Sequence, residues 1–80
     1  MKLLVFVTED AVADAAVDAL VEQGFRVTRL ASSGGFLRRG NTTLLAGVED
    51  TAVTKAQQTV STVAEGALCI VLDLERYERM

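Results

Sequence analysis

Apolar positions along this chain change their period several times, and each change marks an element. Lys2 to Thr8, KLLVFVT, is a nearly unbroken apolar run. Its length and its Leu, Val and Phe content predict a central strand buried on both faces. From Val12 the period lengthens. Val12, Ala15, Ala16, Ala19 and Leu20 recur at helical spacing, with Asp14, Asp18 and Glu22 on the opposite side. Thr8 or Asp10 is the expected cap, and the Glu9–Asp10 charges suit a helix N-terminus. Gly24 is placed to end the helix. Phe25 to Ala31 alternates in part, directing Phe25 and Val27 inward and Arg26 and Thr28 to the opposite face. A connection of roughly ten residues, Ser32 to Asn41, follows, which is long for a compact domain. Thr42 to Val48 then reads as a third strand. Asp50 is the expected cap of a second helix with a stripe of Val53, Ala56, Val60, Val63 and Ala64, stopped by Gly66. Ala67 to Leu74 is a last apolar strand, and the tail to Met80 is polar apart from Tyr77 and Met80.

The order β-α-β-β-α-β predicts an α+β, ferredoxin-like fold, a four-stranded antiparallel sheet with two helices on one face. One domain, 1–80, is expected from the length. A chain this small buries a smaller fraction of its surface than a larger domain, yet half of its residues are hydrophobic. The second face of the sheet has no helix to cover it, so an oligomer is expected. Cys69 is the single cysteine, which rules out an internal disulfide. Inside a predicted strand it reads as a buried small hydrophobe. A lone cysteine and no recognisable secretory signal suggest the cytoplasm. No run approaches the length of a membrane span.

Charge sharpens this picture. The net charge is −3, which argues against binding a nucleic acid polymer. The distribution is uneven, however. Arg26, Arg29, Arg38 and Arg39 all lie between Gly24 and Asp50, around Ser32-Ser33-Gly34-Gly35. Small residues and glycines let backbone amides converge on an anion. The stretch is thus a candidate site for a compact anionic molecule, with Phe36 as a stacking surface. A hairpin loop carrying solvated arginines is the other reading.

Several chemistries lack their residues. There is no histidine and no cluster of thiols, so metal ligation is not expected, nor a catalytic Ser-His or Cys-His pair. No cofactor is implied. Acylphosphatases share the expected fold and use an arginine and an asparagine around a phosphate-cradling loop after the first strand. Arg26 and Asn41 supply the types, but that loop here is Thr8-Glu9-Asp10, whose carboxylates repel phosphate. An enzyme is therefore not the leading reading.

The stretch FRVTRLASSGGFLRRGNTTLLAGVED resembles the signature of the PII-like cyclic-di-AMP receptor family, close to FRxTKLxxTGGFLxxGNTTFxxGVED. The resemblance extends back through the first strand and helix and returns in the tail VLDLERYERM. It implies a PII-like homotrimer with an anionic adenine nucleotide bound in clefts between subunits, and a protein target that the sequence does not name. The implied ligand-binding positions are Arg26, Thr28, Gly35, Phe36, Leu37, Asn41 and Gly47, with Tyr77 as a tail aromatic. Arg26 would offer charge-assisted donors, Thr28 and Asn41 fixed hydrogen bonds, and Phe36 and Leu37 an adenine face. Two departures stand out. Gly24 occupies a position where the family often has an amide. The long family loop before the last strand is reduced here to little more than Glu65-Gly66-Ala67. The alternative is a trimeric protein-interaction module of the same fold that has lost nucleotide binding.

Overall fold

The computed structural model describes residues 1–30, 40–75 and 78. Strand β1 spans Lys2–Glu9, helix α1 Asp10–Glu22, strand β2 Thr28–Leu30 and strand β3 Asn41–Val48. A 3-10 turn at Asp50–Ala52 leads into helix α2, Val53–Val63, and strand β4 is Leu68–Asp73. The sheet order is β2-β3-β1-β4, with every neighbouring pair antiparallel. This is the ferredoxin-like arrangement expected from the element order.

Alternation sets the core. Leu4, Phe6 and Thr8 of β1 point to one face, level with Ala46, Leu44 and Thr42 of β3. Both helices lie on that face. Three of their contact residues are alanines, Ala13 and Ala16 from α1 and Ala56 from α2, joined by Leu20 and Val60. Alanine lets a helix backbone approach the sheet closely, so Phe6, Leu4 and Leu44 are buried to 1% exposure or less. Each such large apolar side chain contributes about 1.5–3 kcal/mol on burial.

The structure corrects several expectations. Strand β1 is not buried on both faces: Leu3, Val5 and Val7 are only half-buried, because helices cover a single side. Ala15 is exposed and Ala13 takes its place in the core, a drift of the helical stripe. Neither Thr8 nor Asp10 caps α1. The N-cap is Glu9, and its side chain makes no capping bond. Asp50 does not cap α2 either; its carboxylate lies 3.0 Å from the Met1 ammonium, which lowers its pKa by hydrogen bond and by charge. Strand β2 begins later than Phe25: among the described residues, Thr28 to Leu30 pair with β3. Cys69 is half-buried rather than buried, packed against the core with Gln57 Nε2 at 3.6 Å from its sulfur. It sits on β4, an edge strand with a neighbour on one side only.

Other expectations hold. Gly24 ends α1 with φ of +90°. Its amide donates to Val21 O at 2.9 Å, and the Phe25 amide donates to Leu20 O at 3.0 Å. This pair of reversed bonds is a Schellman motif, closed by packing of Phe25 near Leu20 in the core. The turn fixes the phase of the segment that leads into β2. Phe25 and Val27 pack on the core, while Arg26 and Thr28 are exposed. At the far end of β1, Lys2 Nζ donates to Asp73 Oδ1 across β1 and β4, which raises the Lys2 pKa.

Candidate functional site

The open face of the sheet carries the candidate site. Cross-strand register arranges it in layers. Thr28 stands beside Leu45, which stands beside Val5, which stands beside Ile70. One layer on lie Gly47, Leu3 and Leu72; in the other direction lie Leu30, Thr43, Val7 and Leu68. The β4 members are well exposed, Leu68 at 56% and Leu72 at 47%.

Arg26, Thr28 and Gly47 come together at one end of this face. They line a depression of about 630 Å³ whose floor includes Phe25, Leu3 and Leu45. Glu49 stands at its edge. Gly47 adds no side chain, so the backbone of β3 is accessible there. Thr28 places a hydroxyl, and Arg26 a guanidinium that makes no ion pair among the described residues. The neighbouring Arg29 differs. Its side chain turns to the helix face and pairs with Asp14 at 2.6 Å. Alternation along the segment that runs into β2 thus sends the two arginines to opposite faces of the sheet.

Asn41 lies elsewhere. It opens β3, opposite Glu9 and six positions before Gly47, roughly 20 Å away along the strand. It lines a second depression, about 510 Å³, with Val7, Glu9, Leu68 and the turn Glu65-Gly66. That turn is the whole connection from α2 to β4 apart from Ala64 and Ala67. Gly35, Phe36, Leu37 and Tyr77 lie outside the described residues.

Sequence reasoning missed the floor of the first depression. Leu3 and Leu45 were legible as apolar alternates, but only pairing with β3 sets them beneath Arg26 and Thr28. It also left Glu9 out of the candidate site, whereas Glu9 borders the Asn41 depression together with Glu65. Among the described residues no group of histidine, cysteine or carboxylate side chains could hold a metal ion. No helix among them is long and apolar enough to cross a membrane.

A ferredoxin-like chain with an arginine that makes no ion pair among the described residues, set at a depression on the sheet, falls in the class of small α+β proteins. The particular family follows from comparison. Residues 1–66 match the family model of the cyclic-di-AMP receptor, and the chain belongs to that family. It is a family of regulatory binding proteins for a nucleotide signal. The fold is also similar to the crystal structure of a functionally unknown protein from Pediococcus pentosaceus ATCC 25745. The TM-score is 0.84 at 27% identity, covering 99% of this chain and 96% of the other.

Proposed function

We propose that this chain is a cytoplasmic PII-like signalling protein that binds cyclic-di-AMP, or a closely related adenine nucleotide, between the subunits of a homotrimer. It acts on a protein target by the change in its bound state and carries out no catalysis. The observation that supports this most is the division of the open face. Arg26, Thr28 and Gly47 converge at one end of β3 and Asn41 stands at the other. A single subunit cannot wrap both ends around one compact ligand. A neighbour related by rotation can bring its Asn41 end against the Arg26 end of the first. In this reading Arg26 and Thr28 hold phosphate or a base edge, and Gly47 lets the ligand approach the backbone. Asn41 supplies paired amide hydrogen bonds. Gly35, Phe36 and Leu37, with Tyr77 of the tail, supply adenine contacts.

The short α2–β4 connection favours a second reading, a trimeric interaction module of this fold that no longer binds nucleotide. Without a long loop, more of a bound dinucleotide stays in water, where its charge contacts are screened. Binding is therefore expected to be weaker than in family members with the long loop, and salt-sensitive. Calorimetry with cyclic-di-AMP at low and high salt tests both readings. Arg26→Ala removes charge-assisted hydrogen bonds of about 1.5–3 kcal/mol and should weaken binding roughly ten- to hundredfold. Unchanged affinity in Arg26→Ala would remove Arg26 from the site. No binding of cyclic-di-AMP or ATP by the wild type at low salt would favour the interaction module instead.

A further inference from the structure

We propose that Asp10 is a positioning residue for the Asn41 half of the site, holding it from helix α1. The inference rests on the receptor reading. Asp10 is the first residue of α1, and it bonds to both chain neighbours of Asn41. Its amide donates to Gly40 O at 2.8 Å, and its carboxylate Oδ1 accepts from Thr42 Oγ1 at 2.5 Å. The bond is charge-assisted and part-buried, with Thr42 7% exposed and Asp10 at the surface. Gly40 has φ of +91°, a backbone that side chains other than glycine rarely adopt.

The geometry makes a clasp. The chain turns into β3 at Gly40, and Asp10 grips the residue before Asn41 and the residue after it. Between the two anchors, Asn41 has little freedom to rotate off the open face. The same contact satisfies one of the free amides at the start of α1. Glu9 makes no side-chain capping bond, and the amide of Asp10 is satisfied by the carbonyl of Gly40 instead. The start of the helix and the placement of Asn41 are therefore one structure. Neither Asp10 nor Thr42 reaches the depression that Asn41 lines, so their influence on a ligand passes through Asn41.

The test is a double-mutant cycle read by cyclic-di-AMP calorimetry on the full chain. Asp10→Ala and Thr42→Val should each weaken binding about fivefold, and together no more than either alone. Asp10→Asn retains an oxygen acceptor for Thr42 and should stay within about twofold of wild type. In an Asn41→Ala background, Asp10→Ala should have no further effect. Thr42→Val keeps the buried shape, so it decides the matter if Asp10→Ala does not fold. Equal losses with and without Asn41 would show a general structural effect and overturn the proposal, as would no loss in either variant. If the wild type binds no cyclic-di-AMP, the receptor reading and this inference fall together. If it binds and the cycle is additive, only this inference falls.

Discussion

Thr43 shows how much a single position on the open face depends on what covers it. Its hydroxyl is buried and has no hydrogen-bond partner among the described residues, where Val7 and Leu30 flank it across the strands. An unsatisfied buried hydroxyl costs about 1–3 kcal/mol. Thr43→Val should therefore raise thermal stability by about 1 kcal/mol, a shift of roughly 4–8 °C for a domain of this size. A fall in melting temperature would show that the hydroxyl finds a partner in the assembled protein. The contrast of Arg26 with Arg29 makes the same point in charge. Both are exposed arginines three positions apart, and the Arg29–Asp14 pair contributes little because both groups are wet. Its value is to withdraw Arg29 from the open face, leaving Arg26 as the cation of the depression.

At the scale of elements, the turn at Gly24 controls the phase of Arg26 and Thr28. A Cβ added there meets nothing within 4 Å, so Gly24→Ala suffers no clash. The left-handed backbone alone should cost about 1–2 kcal/mol. Urea titration should show the midpoint falling with the slope unchanged. A neutral result would mean that the turn relaxes and the strand phase is set elsewhere. Element order, the helical stripes and the inward phase of Phe25 and Val27 were legible from periodicity, because those signals are local. The caps were not. Thr8, Asp10 and Asp50 have capping side chains, but Asp10 bonds to Thr42, 32 residues away, and the Asp50 carboxylate faces the Met1 ammonium. A long-range partner displaces a local one without any trace in nearby sequence. The candidate site was legible in the same uneven way. The motif identifies residue types, while strand pairing alone decides that Asn41 and Gly47 stand at opposite ends of β3.

For the whole molecule the governing fact is the sheet face that no helix covers among the described residues. Leu3, Val5 and Val7 of β1, Leu45 of β3 and Leu68, Ile70 and Leu72 of β4 form a continuous apolar surface. Area removed from water there is worth about 25 cal/mol per Å², a large contribution beside the few kcal/mol that hold a small domain together. The proposed trimer packs these faces around a threefold axis and, in doing so, joins the Arg26 end of one subunit to the Asn41 end of the next. Assembly and ligand binding are then linked: whatever opens the interface also divides the site. Ile70→Asp tests the link, because Ile70 lies in the same layer as Thr28, Leu45 and Val5 and is 43% exposed in the single subunit. A carboxylate there costs little in an isolated chain but much in a closed apolar interface. Sedimentation at micromolar concentration should give three times the subunit mass for wild type and the single subunit mass for Ile70→Asp. The variant should keep its helical circular dichroism and lose cyclic-di-AMP binding although Arg26, Thr28 and Asn41 are intact. A wild type that sediments as a monomer would refute the trimer, and with it a site shared between subunits. A monomeric Ile70→Asp that still binds would place the whole site within one chain.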